Sequence, residues 1–489
     1  MDAFCQFPQE IEEGNIEYKR HISRLILDNP EKLIKFKTQL LWRLDEGKEI
    51  NGSKEAVYYI GIEDDGILSN LGINELNDSI INFTEIVKLC GARIYSTQIN
   101  EIHKYAKITI QKLDDYINAN EITIGLLGPS DSGKSTFLGV LTYDIKDDGN
   151  GLARSNILRH NHEKRDGETS SIKYEIIGHN NETYINYNSS FIYSWEYIIK
   201  NSGTIVNFID LPGNPKYLKT TIFGILSHIP DYILIFVSLL DMSNPVINSH
   251  IELCKNLGLP YSIIYTKKDL MQAQVQLQIK DITISNITGE GLDEVKNLIK
   301  NIKIEKPIPI INKKIAEFII NDIIIIPDIG IVLTGIMNQG RIKINNKLSI
   351  GPCDNTFYTV EIISIHKKQI PCKYLYHGET GTIIVKSNSK INITKHMMLI
   401  TSDQFINFRK NFNIEIKSKS DILLKEGSKI MAFCRNIYDT VTINKIDKNI
   451  LTVSYSNIQY IKQNEFIILR NNNELIFGLI YYTRSGIHL

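Results

Sequence analysis

The middle of the chain alternates short apolar runs with stretches of helical periodicity. The apolar runs are continuous, and they cover residues 122–127, 205–209, 232–237 and 261–265. Continuous apolar strands separated by helices are typical of a parallel sheet that is covered on both faces. We therefore expect an α/β domain at residues 119–303.

After Pro307 the helical periodicity vanishes and β-rich runs separated by turn residues take its place. Eight such runs cover residues 323–326, 330–335, 359–365, 381–385, 411–416, 440–446, 451–456 and 474–482. Short strands at this spacing are typical of barrels or sandwiches. We expect two β-barrel domains, at residues 304–402 and 403–489.

The first 118 residues mix both patterns. Helical periodicity at residues 33–44 stops near Gly47, and a second helical stretch covers residues 75–89. Three runs indicate strands, at residues 56–62, 93–98 and 105–111. Residues 1–118 therefore predict a small α+β module. The predicted fold class is multidomain α/β plus β: this module, the α/β domain and two β-barrels.

Composition narrows the class of protein. The chain has 489 residues, or about three domains at roughly 150 residues each. Its six cysteines form no C-x-x-C pair, which argues against a zinc or disulfide framework and favours a reduced, cytoplasmic chain. The acidic N-terminus lacks the apolar core of a signal peptide. The longest apolar run, residues 232–240, is too short to span a bilayer, so we expect no membrane partner.

Net charge is zero overall but unevenly distributed. Residues 1–300 carry 30 Lys and Arg against 40 Asp and Glu, whereas residues 301–489 carry 25 against 15. The two parts therefore have net charges of −10 and +10. Two solvated surfaces of opposite sign explain this split, and so does a C-terminal part that faces an anion such as RNA phosphate. Both interpretations stay open at this stage.

One glycine-rich stretch has the sequence of a phosphate-binding loop. Residues 128–135 read GPSDSGKS, which fits G-x-x-x-x-G-K-[ST], and they lie between an apolar strand and a helical stretch. In such a loop, backbone amides bind phosphate oxygens, the lysine neutralises their charge and the serine binds Mg²⁺. The predicted nucleotide contacts here are Gly128, Asp131, Ser132, Gly133, Lys134, Ser135 and Thr136.

Two later motifs predict that the nucleotide carries guanine. Thr266-Lys267-Lys268-Asp269 follows an apolar strand, and Asp269 can accept from guanine N1–H and the exocyclic amine, a pattern that adenine cannot supply. Lys267 is expected along the base, and Ser285-Asn286 at the base edge. The predicted cofactors are therefore GTP or GDP with Mg²⁺.

The chain also contains the expected parts of a γ-phosphate switch. In DLPG (residues 210–213), Asp210 can hold Mg²⁺ through water and the Gly213 amide can meet the γ-phosphate. Thr169, in GETSS, is expected to close on Mg²⁺ when the γ-phosphate is present, although Ser170 or Ser171 could serve instead.

His160 and His162, just before this loop, suggest a metal site. A third ligand in register is missing, so a structured switch loop is the favoured interpretation.

Several strings together resemble the elongation-factor-like GTPases known as GTP-binding proteins 1 and 2. In the first half of the α/β domain they are SGKSTFLGVLT, DGNGLAR, RHNHE and GETSS, and later DLPG with KYLKTT, TKKD and SNITGEGLDEV. Outside that domain they are LLWRLDEG, AVYYIGIEDDG, GIVLTG, GRIKINNKL, SIHKKQIP and GETG. The resemblance covers most of the chain.

This resemblance implies a fold and a set of partners. The fold is an N-terminal module, a P-loop GTPase domain and two β-barrels, as in elongation factors Tu and 1-alpha. In those relatives the GTP-bound factor carries aminoacyl-tRNA to the ribosome, and the GTP-binding-protein branch is also linked with stalled ribosomes and RNA turnover. The expected activity is GTP hydrolysis, and the expected partners are the ribosome and tRNA or another RNA. We expect no DNA partner, and a monomer.

Two departures from the family pattern matter for activity. The His that normally follows D-x-x-G and positions the attacking water is Asn214 here, and Ser130 replaces an apolar residue that borders the same water. Losing a water-positioning group costs several kcal/mol of barrier. We therefore expect intact nucleotide binding with slow or differently triggered hydrolysis. Thr266 also replaces the usual Asn of its motif, and residues 270–280 must supply a shortened helix.

Three functions compete at this stage. The first is a translational GTPase that binds tRNA or the ribosome. The second is a GTP-gated binding or regulatory protein with little turnover, which Asn214 and Ser130 favour. The third is a metabolic enzyme with the same P-loop chemistry, as in sulfate activation, and the switch-loop strings argue against it.

Overall fold

The structure is a computed structural model. It describes residues 7–11, 13–51, 54–112, 120–158, 163, 165, 167–180, 183–187, 195–270, 282–302, 304, 316–326, 329–353, 355–368, 370–387, 391–401, 407–417, 424–471 and 474–481. The described residues fall into two compact units, one up to Lys112 and the other from Asn120 onwards.

The first unit is a four-stranded sheet with three helices. The strands are β1 (Ile16–Lys19), β2 (Glu55–Ile60), β3 (Arg93–Asn100) and β4 (Tyr105–Gln111), in the order β1-β2-β4-β3. The helices are α1 (Arg24–Asp28), α2 (Pro30–Asn51) and α3 (Ile73–Leu89). Apolar residues of α3, among them Leu76 and Phe83, share a core with Phe36 of α2 and Tyr58 of β2. The α+β character predicted for this part is confirmed.

Helix α2 does not stop near Gly47, as predicted, but continues to Asn51. A Cβ atom at Gly47 would lie 1.9 Å from the carbonyl oxygen of Glu55, at the start of β2. The glycine is needed because helix and strand meet here, so it marks a packing contact rather than a helix stop.

The α/β part of the second unit is a seven-stranded sheet with helices. The strands are β5 (Asn120–Leu127), β6 (Lys173–Asn180), β7 (Thr183–Ile185), β8 (Thr204–Asp210), β9 (Tyr232–Ser238), β10 (Tyr261–Thr266) and β11 (Ile282–Thr283), in the order β11-β10-β9-β5-β8-β6-β7. The helices are α4 (Lys134–Tyr143), α5 (Leu152–Ser155), α6 (Trp195–Asn201), α7 (Leu218–His228), α8 (Pro245–Leu257) and α9 (Leu292–Asn301). Across the part of the chain that the structure describes, no helix combines the length and apolarity needed to cross a membrane.

The four strands that the sequence indicated are parallel, as expected, but two further strands at one edge are antiparallel. Strands β11, β10, β9, β5 and β8 are parallel, but β6 runs antiparallel to β8, and β7 antiparallel to β6. The sequence of β6, KYEIIGHN, mixes polar and apolar residues, so no continuous apolar run marks it. The hairpin pairing of Asn180 with Thr183 reverses the chain direction at this edge.

Two β-barrels follow. The first contains β12 (Ala316–Ile326), β13 (Gly330–Lys343), β14 (Lys347–Cys353), β15 (Thr356–Lys367), β16 (Ile370–Cys372), β17 (Tyr374–Tyr376), β18 (Thr380–Ser387) and β19 (Met398–Ile400). Its closed circuit is β12-β19-β14-β15-β18-β13, because β13 pairs again with β12. The second contains β20 (Phe408–Ile416), β21 (Lys429–Cys434), β22 (Ile437–Asp447), β23 (Ile450–Tyr460), β24 (Phe466–Asn471) and β25 (Glu474–Tyr481), closed in the order β20-β23-β22-β21-β24-β25. The predicted fold class is confirmed.

Helix α7 of the α/β domain lies against both barrels. Asn321 of the first barrel donates through Nδ2 to the carbonyl oxygen of Ser227 at 3.4 Å. The ring of Phe223 meets Tyr438 of the second barrel edge-on, with 5.6 Å between centroids. Apolar residues of α7 and of the second barrel share one cluster, including Ile222, Ile225, Phe433, Ile468 and Phe477. A displacement of α7 would therefore act on both barrels.

Candidate functional site

The phosphate-loop motif forms the turn between β5 and α4, with its lysine folded back onto the loop. Lys134 is buried, and its Nζ atom donates to the carbonyl oxygens of Gly128 (2.9 Å) and Pro129 (2.8 Å). Burial lowers the pKa of Lys134 to about 8, although Asp210 and Asp131 act in the opposite direction. A buried ammonium group that is held by carbonyl dipoles can exchange them for phosphate oxygens at a gain in energy.

His250 of α8 supports the loop from behind. Its Nδ1 atom accepts a hydrogen bond from the backbone N–H of Gly128 at 3.1 Å, and its side chain is buried. Burial, together with the charge of Lys134, lowers the pKa of His250 to about 3, so the ring is neutral and free to accept. The sequence reasoning missed this residue because a lone histidine in PVINSHIELCKNL belongs to no motif.

The side chains predicted to bind Mg²⁺ meet at one point. Ser135 Oγ lies 2.7 Å from Thr169 Oγ1 and 2.6 Å from Asp210 Oδ2. Burial raises the pKa of Asp210, and its other oxygen, Oδ1, is buried with no hydrogen-bond partner among the described residues. A cation would offset both effects, and hydroxyl and carboxylate oxygens are ligands that Mg²⁺ prefers. The residues present therefore fit Mg²⁺.

Gly213, the last residue of DLPG, lies in close contact with the phosphate loop. A Cβ atom there would be 2.5 Å from the carbonyl oxygen of Gly128 and 2.7 Å from Lys134 Nζ. Because only glycine leaves this space free, the DLPG backbone can approach the lysine directly. Gly213 and Lys134 are thus close enough for the Gly213 amide and the lysine to reach the same terminal phosphate.

Asn214, the residue at the usual catalytic His position, has its side chain engaged elsewhere. Its Nδ2 atom donates to both carboxylate oxygens of Glu168, at 3.1 and 3.3 Å. Its Oδ1 atom accepts from the backbone N–H of Lys216 at 3.0 Å and so caps the short 3₁₀ turn that follows. Asn214 therefore joins the Thr169 loop to the DLPG segment, and it is not among the side chains that line the cavity.

A buried carboxylate anchors the loop that carries Thr169. Glu163 Oε1 accepts from the backbone N–H and the hydroxyl of Ser170, at 2.9 and 2.8 Å, and from those of Ser171, at 3.3 and 3.2 Å. Its Oε2 atom pairs with buried Lys173 at 2.7 Å. Burial raises the pKa of Glu163, but hydrogen bonds from Lys173 and Ser170 outweigh it and hold the pKa well below its usual range. Thr169, Ser170 and Ser171 were the candidates for the switch hydroxyl. Of these, Thr169 contacts Ser135, one of the side chains that fit Mg²⁺.

The predicted guanine-binding residues are tied to the phosphate loop. Thr266 Oγ1 donates to the carbonyl oxygen of Ser132 at 2.8 Å, so the threonine that replaces the usual Asn makes a direct link. Asn286 Nδ2 donates to the carbonyl oxygen of Gly133 at 3.2 Å. Ser285 Oγ donates to Asp269 Oδ1 at 2.5 Å and holds that carboxylate in place.

One cavity brings phosphate-loop, switch and base motifs together. Ten predicted site residues line it, namely Asp131, Gly133, Lys134, Ser135, Thr136, Thr169, Gly213, Lys267, Asp269 and Asn286, and so does Ser130. The other predicted residues of the loop, DLPG and base motifs lie behind this surface, where they contact the lining residues or one another. They are Gly128, Ser132, Asp210, Thr266 and Ser285. The lining residues that sequence reasoning did not assign are Asp147, Gly149, Gly151, Arg154, Gly167, Glu168, Leu270 and Ile287. Most belong to strings that carried the family resemblance, which is the signal that could have found them.

Two sequence-based expectations fall outside the described residues. They are the pair His160 and His162, and the short helix expected at residues 270–280, apart from Leu270. In the part of the chain that is described, no group of three or more His, Cys, Asp or Glu side chains could hold a metal ion.

The sequence matches the elongation factor Tu GTP binding domain family over residues 119–364. GTP-binding protein 2 of Mus musculus is 29% identical over 90% of this chain and 80% of its own length. GTP-binding protein 1 of Xenopus laevis is 28% identical over 91% of this chain and 75% of its own length. The resemblance that the motifs indicated is therefore confirmed, and it extends over nearly the whole chain.

Solved structures share the fold. A bacterial selenocysteine-specific elongation factor superposes with a TM-score of 0.58 at 17% identity, over 74% of this chain and 58% of that one, so this chain spans little more than half of that factor. The GTPase-like domain of Ski7 from S. cerevisiae, bound to GTP, gives a TM-score of 0.56 at 15% identity, over 75% of this chain and 98% of that one. At these identities the likeness establishes the fold alone.

The family match covers half of the chain and includes the phosphate loop, DLPG, the base motifs and the start of the first barrel. The structure has the α/β domain that the match implies, and two barrels follow it. The protein is a GTPase of translation-factor type, and it belongs to the elongation factor Tu GTP binding domain family.

Proposed function

We propose that the protein is a GTP-gated switch that acts with the ribosome and with tRNA or another RNA. The observation that carries this proposal is the convergence of Thr169, Asp210 and Gly213 on the phosphate loop. In the GTP state, the Thr169 hydroxyl binds Mg²⁺ and the Gly213 amide donates to the γ-phosphate. Loss of the γ-phosphate removes both interactions and releases the Thr169 loop and the DLPG segment.

The path from the nucleotide to the barrels is short. Thr221 Oγ1 of α7 donates to the carbonyl oxygen of Pro212, within DLPG, at 2.8 Å. At the other end of α7, the Tyr174 hydroxyl of β6 lies 2.6 Å from His228 Nε2. The Lys219 ammonium group lies 3.9 Å from the ring centroid of Tyr438, in the second barrel. A shift of DLPG would therefore move α7 relative to β6 and to the second barrel.

Relatives and charge support an RNA-containing partner. The selenocysteine-specific factor with the same fold is a translation elongation factor by name. The net charge of +10 in residues 301–489 favours a polyanion facing the barrels.

The engaged side chain of Asn214 supports slow hydrolysis in the absence of a trigger. Its amide is held by Glu168 and its oxygen caps Lys216, so its polar atoms already have protein partners. A second candidate function follows from the same observation: a GTP-gated binding or regulatory protein with little turnover. Guanine-nucleotide binding is common to both.

The test measures GTP turnover by the full chain alone, with ribosomes, and with ribosomes plus tRNA. We expect tight GTP binding, slow turnover alone and at least about tenfold stimulation by ribosomes. Asn214→His is expected to raise the stimulated rate further, because an imidazole can orient the attacking water. Asn248→His makes the same substitution at an exposed position of α8 and should change nothing.

The possible results separate the candidates. Tight GTP binding with no stimulation by ribosomes or tRNA would favour the GTP-gated binding protein. Failure to bind GTP or GDP would contradict both functions.

A further inference from the structure

Arg154, in the short helix α5, reaches the nucleotide cavity through a slot between two glycines. A Cβ atom at Gly151 would lie 2.4 Å from its Nε atom, and one at Gly167 would lie 2.9 Å from Nη2. Both glycines have positive φ, at 96° and 72°, where a side chain is strained as well. Two loops therefore meet around the guanidinium, and any side chain at either position would displace it.

The slot opens at the phosphate end of the cavity. Arg154 lines the same surface as Lys134, Ser135 and Thr169. Gly167, which touches the guanidinium, lies two residues before Thr169, whose hydroxyl contacts Ser135 at 2.7 Å. Arg154 thus approaches from the switch-loop side, whereas Lys134 belongs to the phosphate loop.

No protein anion neutralises this arginine within the described part of the chain. Arg154 forms no ion pair there, and its side chain donates no hydrogen bond. The nearest acids in sequence face the backbone instead: Asp147 accepts from the amide of Ala153 (3.0 Å) and Asp148 from that of Asn150 (2.8 Å). A half-buried guanidinium that has no counter-charge among the described residues, in a cavity shaped for phosphate, calls for an anionic ligand.

We propose that Arg154 binds the terminal phosphates of GTP and stabilises the charge that builds on them during hydrolysis. The inference rests on the proposed nucleotide site. Water attacks the γ-phosphorus, the bond to the β–γ bridging oxygen breaks, and GDP leaves with the electron pair while the proton of the water passes to phosphate. The guanidinium keeps its protons and acts through charge and its planar fork. It compensates in part for the engaged side chain of Asn214.

The experiment compares Arg154→Ala, Arg154→Lys and Arg165→Ala in the full chain. Arg165 is an exposed arginine between α5 and β6, and it does not line the cavity. We measure single-turnover hydrolysis of preloaded GTP, GDP affinity, and capture of GDP with aluminium fluoride, which mimics the transferring phosphoryl group. Arg154→Ala is expected to slow hydrolysis roughly 100-fold to 1,000-fold and to lose aluminium fluoride capture. GDP affinity should stay within about threefold, because the charge in question builds on the γ-phosphate.

Arg154→Lys should recover part of the rate, since it keeps the charge without the fork. Arg165→Ala should behave as the wild type. Wild-type hydrolysis and capture by Arg154→Ala would overturn the inference, and so would a loss of GDP affinity as large as the loss of rate. Lys134→Ala reports on the nucleotide site itself: if that variant still binds GTP at micromolar concentration, the proposed function fails, whatever Arg154 does.

Discussion

At the level of single residues, the phosphate loop depends on side chains outside its own motif. The first amide of the loop, Gly128 N–H, is buried and donates a hydrogen bond to His250 Nδ1. A neutral imidazole suits this place because a protonated ring would put a second positive charge beside Lys134, which itself contributes to the low pKa of His250.

Replacing His250 with Phe should weaken nucleotide binding. The ring volume is retained, but the Gly128 amide loses its acceptor, and a buried unpaired N–H costs about 1–3 kcal/mol. We expect GTP and GDP affinity to fall about tenfold, measured by titration with a fluorescent nucleotide. His250→Gln, which can still accept, should lose less; equal losses in the two variants would contradict the role assigned to this hydrogen bond.

Residues were predictable where their chemistry is local. The phosphate loop, DLPG and the base motifs each follow a strand, so spacing along the chain alone indicated them. His250 acts through a contact with a residue distant in sequence, and nothing in its immediate sequence signals this. Glu163 ends the RHNHE string that matched the family, but its contacts with the loop backbone depend on the fold. Arg154 lay in a string that matched the family, but the slot between Gly151 and Gly167 depends on the folded loops.

At the level of elements, the switch loop is held by a buried ion pair. Glu163→Gln keeps the shape of the side chain but leaves Lys173 buried without its counter-charge. Removing one partner of a buried pair costs about 3–5 kcal/mol. We expect a loss of this order in the free energy of unfolding in urea, with faster proteolysis of the loop at residues 167–171.

The control for this variant is Glu290→Gln, in the exposed pair with Lys268. Exposed pairs contribute at most about 1 kcal/mol, so this variant should unfold almost as the wild type does. An equally small effect of Glu163→Gln would show that the buried pair does not hold the loop.

Helix α7 gives the protein a pH-dependent stability. Burial lowers the pKa of His228 to about 4, against the hydrogen bond to the Gly224 carbonyl, which raises it. Between pH 6.5 and 4 the unfolded chain takes up a proton that the folded chain does not, so stability falls as pH is lowered through this range. One group of this kind contributes a loss of about 3 kcal/mol.

His228→Gln should flatten that dependence, measured by denaturant unfolding at pH 7, 5.5 and 4.5. Exposed His377→Gln serves as the control and should leave the slope unchanged. If the slopes of the wild type and His228→Gln coincide, His228 does not stay neutral in the folded protein.

Strands were predictable where one face alone is buried or where the apolar run is long. Strands β21 and β24 were missed because neither shows the alternation of polar and apolar residues that marks a strand with one buried face. In β24, Ile467 and Leu469 face the core of the second barrel, whereas Ile468 packs in the cluster shared with the α/β domain. Because the outer face of β24 contacts a neighbouring domain, that face is apolar too, and the alternation of polar and apolar residues that indicates a strand is lost. Strand β19 has three residues, too few for any pattern.

At the level of the whole molecule, the α/β domain and the barrels belong to one unit, and α7 contacts both barrels. The fold class was predictable because each part has its own periodicity, continuous apolar runs first and short β-rich runs later. The docking of α7 on both barrels was not, because it depends on side chains such as Asn321 and Tyr438 that carry no local signal. In the proposed switch, this docking carries the state of the nucleotide to the barrels.

The most direct test of the switch is amide hydrogen exchange of the full chain bound to GDP or to a non-hydrolysable GTP analogue with Mg²⁺. With the analogue, we predict slower exchange in residues 167–171 and 213–228, and a change in the barrel segments around Asn321 and Tyr438. With GDP, those segments should exchange faster. Identical exchange in the two states, at full occupancy of both nucleotides, would contradict the account.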